Sequence, residues 1–451
     1  MNQKFDLTVI GGGLAGCEAA LQAANYGLRV NLLEMRPIVP TGVHVSQDLA
    51  EVVCSNSFGS KLSDRASGLL KQELQLLNSF LLEIAEKTSV PAGRALAVDR
   101  ELFSKLVTER VSSSPNIKIT RMEARSIPEG PTIVASGPLT SQNLSQAISR
   151  ITGEDSLFFF DAVAPIINFE SIEMNKAFRA SRYQYEQSSK GDYINLPFTK
   201  DEYIQFVELL RKADRIPLKN MEYDIDKGVT AGSKEFFEGC LPVEILALRG
   251  ENALAYGPMR PVGLIDPHTN SRPYAVVQLR QDNLAGNLYN MVGFQTNLTI
   301  KEQKRIFTTI PGLESAQFER FGQMHRNTYI ASPKLLHPSL QFRSRPDLFF
   351  AGQITGVEGY VGNIGTGLLA GINAVRLISN QALIILPQAT MLGALCNYIS
   401  KANLADFQPM KANFGLLAPL TITSKKGKHD RAILYSERSL RELNSYLKNL
   451  E

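Results

Sequence analysis

Cysteine is scarce in this chain of 451 residues, which has only four, at positions 17, 54, 240 and 396. No two of them form a CxxC pair, and none stands with histidine at the spacing of a zinc site. These absences exclude a small disulfide-stapled scaffold. They predict a reduced, cytoplasmic protein that has neither structural disulfides nor a bound metal.

Long apolar runs are also missing, since none approaches the roughly 18 residues of a membrane span. The first apolar strand begins at Phe5, which leaves no room for a signal peptide. Hydrophobic residues make up 44% of the chain and charged residues 20%, as expected for a soluble enzyme of two or three domains. We therefore expect no membrane partner. The net charge of +4 permits a polyanionic partner without requiring one.

The most informative segment that is present runs from Phe5 to Glu34. It predicts a strand, a GxGxxG turn, a helix and a second strand that ends at Glu34. Gly11 permits the sharp turn, Gly13 lets a pyrophosphate approach the backbone, and Gly16 lets helix and strand pack closely. Helix N-terminal amides receive the phosphates, and Glu34 accepts the ribose hydroxyls. The predicted cofactor-binding residues are Gly11, Gly12, Gly13, Leu14, Ala15, Gly16 and Glu34, with Arg36 at the adenosine end. The alternatives are an ordinary βαβ turn and, for Arg36, a surface arginine.

A second glycine-rich element lies near the other end of the chain. A strand over 347–350 leads into Ala351-Gly352, and glycines at 362, 365 and 367 frame a helix predicted to begin near Thr366. Two such elements favour FAD over NAD alone, because one can hold the ADP half and the other, including Gly352, the flavin. Between them, from about Phe169 to Phe321, alternating strands predict an antiparallel insertion.

Several strings of residues, spread nearly from end to end, are together specific to one family. The first string is the glycine motif at 11–16. The others are residues 33–37, 51–57, 90–93, 97–100, 137–141, 236–244, 256–259, 277–280, 293–296, 324–329, 356–360 and 407–410. On these residues the chain resembles the folate- and FAD-dependent RNA uracil-5-methyltransferases, relatives of the GidA tRNA-modification flavoproteins.

The resemblance implies a reaction and a fold. A methylene group would pass from 5,10-methylenetetrahydrofolate to flavin N5 and then to C5 of a uridine in RNA, with NADH or NADPH as reductant. The usual target is the T-loop uridine of tRNA, although related proteins act on ribosomal RNA. The implied fold class is α/β, an FAD-binding Rossmann-like domain of the GidA and glutathione-reductase type with an inserted α+β domain. We assign residues 1–180 and 323–451 to the FAD-binding domain and residues 181–322 to the insertion.

Such chemistry needs an activated thiol, because uracil C5 is a poor nucleophile until a thiolate adds to C6. A base must then remove the C5 proton. With the resemblance, Cys240 is the candidate nucleophile and Cys54 the candidate base or partner thiol. The alternative for each is a small buried hydrophobe. Cys17 and Cys396 lie on packed helices and are predicted to be structural.

Other candidates concern the pterin and the RNA. His325 or Arg326 could stack on a pterin, Asn327 could bind its amide edge, and Tyr360 could cover the flavin or folate ring. The alternatives are a polar strand end and ordinary aromatic packing. RNA contacts are expected from Lys and Arg of the insertion and from the basic segment 425–431.

Two other functions compete with RNA methylation. One is a GidA-type flavoprotein that needs a partner protein, although this chain lacks the extended helical C-terminal domain of such proteins. The other is a flavin-dependent oxidoreductase that acts on small molecules.

Overall fold

The computed structural model describes residues 4–154, 156–182, 191–217, 229–236, 241–420 and 427–450; for 156, 158–160 and 229–236 only the backbone is described. The strands are β1 (Leu7–Ile10), β2 (Val30–Glu34), β3 (Ser57–Ser60), β4 (Ser89–Val90), β5 (Ala95–Val98), β6 (Ile117–Arg121), β7 (Thr132–Val134), β8 (Ser156–Ala162), β9 (Ile166–Asn168), β10 (Phe178–Ala180), β11 (Tyr193–Phe198), β12 (Val229–Phe236), β13 (Ala275–Gln281), β14 (Leu288–Met291), β15 (Phe318–Arg320), β16 (Met324–Tyr329), β17 (Leu348–Phe350), β18 (Val357–Glu358) and β19 (Met410–Lys411). The helices are α1 (Leu14–Asn25), α2 (Ala66–Leu76), α3 (Phe80–Lys87), α4 (Arg100–Ser112), α5 (Gln142–Thr152), α6 (Lys200–Arg211), α7 (Val243–Leu248), α8 (Ala253–Tyr256), α9 (Ile300–Phe307), α10 (Ser332–Leu335), α11 (Tyr360–Ile378), α12 (Met391–Lys401) and α13 (Lys428–Lys448).

A five-stranded parallel sheet, in the order β17-β7-β1-β2-β6, organises the fold. Its central strands are short apolar runs buried on both faces, as parallel strands usually are. Alternate residues enter different cores: Val9 packs with α1 and α11, whereas Ile10 packs with α5 on the other face. This sheet confirms the predicted α/β dinucleotide fold.

Helix α11 begins six residues before the predicted start near Thr366, so that prediction was wrong. Its glycines lie inside the helix, because they let it pack directly on α1. A Cβ on Gly367 would stand 2.2 Å from the carbonyl oxygen of Ala15, and one on Gly371 would stand 2.7 Å from that of Ala19. Close packing here outweighs the low helix propensity of glycine.

The same helix has the length and apolar composition of a membrane span. However, 78% of its apolar window is buried inside the protein, where it forms the centre of the main core. Buried core helices of soluble proteins combine the same length and composition, so this one helix is weak evidence for membrane insertion.

Three further helix predictions can be compared with the structure. Apolar residues at three- and four-residue steps predict one helix over 68–88, but the structure divides it into α2 and α3 at Asn78, which has a φ of 58°, and Ser79 then caps α3. The sequence of residues 386–451 also predicts helix, but α12 and α13 are separated there by irregular backbone. Asp99 precedes a helical pattern and is predicted to cap it; this is confirmed, since the Asp99 carboxylate accepts from the amide of Leu102 in α4.

A six-stranded sheet, in the order β10-β11-β13-β14-β9-β15, forms a second layer with its own apolar core. Its pairings are antiparallel, and its strands come from residues 166–320. A separate three-stranded sheet has the order β12-β8-β16. The domain boundaries at 180/181 and 322/323 stay predictions.

We predict that Gly367→Ala destabilises the protein, because the added methyl group would clash with the backbone of α1. Overpacking of this kind costs about 1–3 kcal/mol in the free energy of unfolding. Urea unfolding of the cofactor-free protein measures this change. The matched control is Gly13→Ala, since a Cβ there meets no atom within 4 Å. Equal stability of the two variants would contradict the packing argument.

Candidate functional site

A cleft of about 980 Å³, open solvent included, lies at the carboxyl ends of β1, β2 and β7. This is where ligands bind in open α/β sheets. Most of the predicted cofactor residues line it: Gly11, Gly12, Gly13, Leu14, Ala15, Glu34, Arg36, Gly352 and Tyr360. Gly16 does not line the cleft. Segments more than 300 residues apart in the sequence therefore line one cleft.

The three motif glycines have different surroundings. Gly11 has a φ of 107°, and its Cβ would stand 2.5 Å from the carbonyl oxygen of Ala135. A Cβ on Gly16 would stand 1.8 Å from the carbonyl oxygen of Gly11, so this glycine serves helix–strand packing. Gly13 precedes the first residue of α1 and faces open space. A phosphate can therefore approach the amides of the α1 N-terminus.

The Glu34 carboxylate and Arg36 form a buried network beside this turn. Glu34 accepts from the amide of Gly12 at 2.8 Å and from the Arg36 side chain at 3.0 Å. Arg36 also donates to the Glu51 carboxylate at 3.3 Å and is only 4% exposed. It is therefore not the surface arginine of the alternative interpretation, and it fixes the loop that closes the adenosine end of the cleft.

The other end of the cleft fits a flavin ring. Gly352, Gln353 and the first turn of α11 line it. Asn363 lies in that turn, is buried, and its Oδ1 has no hydrogen-bond partner among the described residues. An unpaired buried amide costs free energy unless a ligand satisfies it. Phosphate-binding amides at one end and a polar group with a helix N-terminus at the other are the features that FAD requires.

Next to the cleft, three reactive side chains meet. Cys54 Sγ lies 3.8 Å from Asp161 Oδ2 and 3.8 Å from His325 Nε2, and the last two atoms are 4.0 Å apart. Asp161 on β8 pairs directly with His325 on β16, so both side chains extend from the same face of the sheet. Burial lowers the pKa of His325, which favours the neutral imidazole, although Asp161 opposes this shift.

Tyr360 connects this cluster to the cleft. Its hydroxyl oxygen accepts from the amides of Cys54 and Ser55, both at 3.1 Å, while its ring packs against Phe58. Burial raises the pKa of Tyr360, so it stays a neutral phenol. The prediction that its ring covers flavin or folate stays a prediction.

Two buried arginines hold the loop that carries Cys54. Arg100 donates to the carbonyl oxygens of Val52 and Val53 at 2.9 and 3.1 Å. Arg280 donates to Asn56 Oδ1 at 2.8 Å and to Ser55 Oγ at 2.7 Å. The two guanidinium groups thus fix the backbone on both sides of the thiol.

Glu358 and Asp161 were missed by the sequence analysis. Burial and the charge of Asp161 raise the pKa of Glu358 to about 8, so it holds a proton at neutral pH. Glu358 stands within a string that carries the resemblance, and that string could have indicated it. Asp161 follows a run of phenylalanines with no motif, and only the pairing of β8 with β16 brings it to the site.

Of the remaining predicted residues, two lie on β16 and others lie outside the part of the chain that the structure describes. Asn327 is fully buried, and neither its side-chain oxygen nor its nitrogen has a hydrogen-bond partner among the described residues. Arg326 alternates with His325 along β16 and therefore extends from the opposite face. Cys240 lies outside the described residues, as do positions 425 and 426 of the basic segment.

The two cysteines predicted to be structural are both buried. The Cys17 thiol donates to the carbonyl oxygen of Gly12 at 3.3 Å. Burial raises the pKa of Cys396 to about 12, which makes its thiol unreactive.

Comparisons of the sequence with known proteins lead to one family, and comparison of the structure agrees with it in fold. The family model described as "Glucose inhibited division protein A" matches residues 6–382. The methylenetetrahydrofolate–tRNA-(uracil-5-)-methyltransferase TrmFO of Anoxybacillus flavithermus is 50% identical over 448 residues, which cover 99% of this chain and 100% of that one. The protein of the same name from Syntrophomonas wolfei is 52% identical over 445 residues, covering 98% and 99%. A crystal structure of Aquifex aeolicus GidA matches with a TM-score of 0.67 and 17% identity, covering 98% of this chain and 74% of that one. At that identity the likeness shows the fold alone.

We predict that Gly13→Val weakens FAD binding by at least about tenfold, because the side chain enters the space over the α1 N-terminus. Titration of the cofactor-free protein with FAD, followed by flavin fluorescence, measures the affinity. Urea unfolding without cofactor should be nearly unchanged. Unchanged FAD affinity would show that the phosphates bind elsewhere.

Proposed function

Since the chain belongs to the GidA family and, within it, to the folate-dependent tRNA (uracil-5-)-methyltransferases, we propose that it forms 5-methyluridine in tRNA with Cys54 and Cys240 as its reacting thiols. The carbon donor is 5,10-methylenetetrahydrofolate, FAD is the cofactor, and NADH or NADPH is the reductant. The observation that carries the assignment of Cys54 is the contact of its sulfur with both Asp161 and His325.

The cluster is suited to removing the C5 proton of the target uridine. The Cys54 thiolate takes that proton, and the neutral imidazole of His325, 3.8 Å away, accepts it from the thiol. Asp161, whose Oδ2 lies 4.0 Å from the same ring nitrogen, then stabilises the imidazolium through its negative charge. The C5–H bond breaks, its electron pair stays in the uracil ring, and the proton reaches solvent through His325.

FAD, when bound, supplies the electrons that convert the transferred one-carbon unit into a methyl group. Gly13 and the α1 amides would hold its pyrophosphate, and the α11 N-terminus with Asn363 would receive the flavin end. The proposed contact of Asn327 with the pterin of the folate rests on the sequence alone, because this side chain is fully buried and does not line the cleft. His325 is already in contact with Cys54, so proton transfer is its better supported role.

A second thiol is required because the nucleophile is still bonded to C6 when the base removes the proton from C5. While one sulfur is bonded to C6 of uracil, it cannot accept the C5 proton. We assign the nucleophile to Cys240 from the family resemblance, and the acid–base partners of Cys54 support this division of roles.

The inserted domain offers a surface suited to RNA. Lys304 on α9 lies over the ring of Phe321 at 5.4 Å, and Phe318 stacks on Phe321 with centroids 5.1 Å apart. A groove of about 940 Å³, open solvent included, contains these three residues. Aromatic stacking combined with positive charge is how proteins hold unpaired nucleotides. We propose that tRNA, a cytoplasmic polyanion, contacts this groove and that no membrane is involved.

We predict that the FAD-loaded protein transfers label from 5,10-methylenetetrahydrofolate to unmethylated tRNA, and that Cys54→Ala reduces this transfer by about 100- to 10,000-fold while retaining FAD. The matched control is Cys396→Ala, which removes a buried thiol elsewhere. Radiolabel in purified RNA measures both effects. Label in ribosomal RNA instead of tRNA would show that ribosomal RNA is the substrate. Label in neither RNA, with flavin turnover on small molecules, would favour an oxidoreductase.

We predict that tRNA with 5-fluorouridine at the target position becomes covalently joined to the protein. Fluorine at C5 cannot leave as a cation, so the bond between Cys240 and C6 persists after the carbon is transferred. Denaturing gel electrophoresis detects the joined species, and Cys240→Ser should abolish it because an alcohol is far less ionised than a thiol. A crosslink lost in Cys54→Ser but retained in Cys240→Ser would reverse the two roles.

A further inference from the structure

The cluster of Cys54, Asp161 and His325 has the ligand set of a zinc site. Thiolate, carboxylate and imidazole are the three ligand types that Zn²⁺ takes in proteins. Their donor atoms all lie within 4.8 Å of one another, and they come from a loop, from β8 and from β16. The sequence spacing gave no sign of this, because the ligands are separated by 107 and 271 residues.

The distances also fit. With Zn–S near 2.3 Å and Zn–N or Zn–O near 2.0 Å, donor atoms of a tetrahedral site stand roughly 3.3–3.6 Å apart. Here the separations are 3.8, 3.8 and 4.0 Å. Changes of roughly 0.3–0.7 Å in these separations, within the range of side-chain rotation, would complete three bonds. We infer that these three residues bind Zn²⁺ and that its binding reversibly inhibits the enzyme.

The surroundings hold the ligands in place. The register of β8 and β16 fixes the backbones of Asp161 and His325 opposite each other. Hydrogen bonds from the Cys54 amide to Tyr360, and from Arg100 to the preceding carbonyl oxygens, fix the thiol loop. A thiolate and a carboxylate together balance the charge of Zn²⁺. The nearby Arg100 is itself paired with Asp282, at 2.9 Å from both carboxylate oxygens, which limits its repulsion of the ion.

Two features indicate a reversible inhibitor rather than a structural ion. Three protein ligands leave the fourth position to water, as in open zinc sites. In addition, His325 Nδ1 is buried and has no hydrogen-bond partner among the described residues, whereas zinc-bound histidines usually donate their second N–H to one. Loss of such a partner typically weakens metal affinity by about 10- to 100-fold.

Binding involves no redox step. Zn²⁺ forms bonds to the Cys54 sulfur, one Asp161 oxygen and His325 Nε2, and the thiol proton is released to solvent. Affinity should therefore increase as pH rises. The inhibition, unlike the binding, rests on the proposed function, because it follows from removing Cys54 from proton transfer.

The test measures binding and inhibition separately. Zn²⁺ is titrated into the FAD-loaded protein by calorimetry, without folate or RNA. In parallel, Co²⁺ is added, because cobalt bound tetrahedrally by a thiolate absorbs at longer wavelengths than oxidised flavin. We expect a single saturable Zn²⁺ site per chain, at which Zn²⁺ displaces Co²⁺ and removes its absorption. Cys54→Ala, His325→Gln and the isosteric Asp161→Asn should each weaken Zn²⁺ binding by about 100-fold or more, since losing a side chain bonded to the metal costs more than losing the hydrogen-bond partner of such a side chain.

The matched control is Cys396→Ala, which should bind Zn²⁺ as the parent does. Retained flavin absorption shows that each variant is folded. Affinity that is unchanged in Cys54→Ala, or that is lost only in Cys240→Ala, would overturn the proposed site. Saturable binding at these residues without loss of methylation would overturn the inhibition alone. If binding is normal but no RNA is ever methylated, the proposed function fails while the zinc site stands.

Discussion

The parallel pairing of β17 with β7 is the constraint on which the rest of the structure depends. It joins Leu348 to Thr132 across more than 200 residues of chain and closes the five-stranded sheet. Only then do the turn after β1 and the turn after β17 face the same cleft. Because ligands bind where the ends of parallel strands meet, this pairing turns two unremarkable glycine-rich turns into one dinucleotide site. The insertion between them can be long, since the sheet requires only that the chain return to this edge.

The close packing of α1 on α11 follows from that sheet. Both helices cover the same face, and glycines on α11 bring it within van der Waals distance of the α1 backbone. This places the N-termini of the two helices at the two ends of one cleft. The phosphate-binding end and the flavin end are thus fixed relative to each other by backbone contacts rather than by flexible side chains.

Features that depend on neighbouring residues could be predicted from the sequence. Features that depend on contacts between distant segments could not. The turn at Gly11–Gly16 and the cap at Asp99 depend on a few neighbouring residues, and both are found as predicted. The start of α11 was predicted too late, because glycine is a poor helix former unless tertiary packing requires it. Asp161 had no local signal at all. Its meeting with Cys54 depends on strand register, on the loop held by Arg100, and on contacts between segments more than 100 residues apart.

Tyr360 makes the cofactor cleft and the thiol loop a single unit. It stands at the first position of α11, whose location is set by packing on α1, and it lines the cleft. Its hydroxyl oxygen also satisfies the amides of Cys54 and Ser55, which would otherwise be unpaired in a partly buried loop. A shift of α11 would therefore move the flavin end of the cleft and the thiol together. The Cys54 sulfur is positioned by the same packing that shapes the cleft, so the distance between them is a property of the fold rather than of the loop.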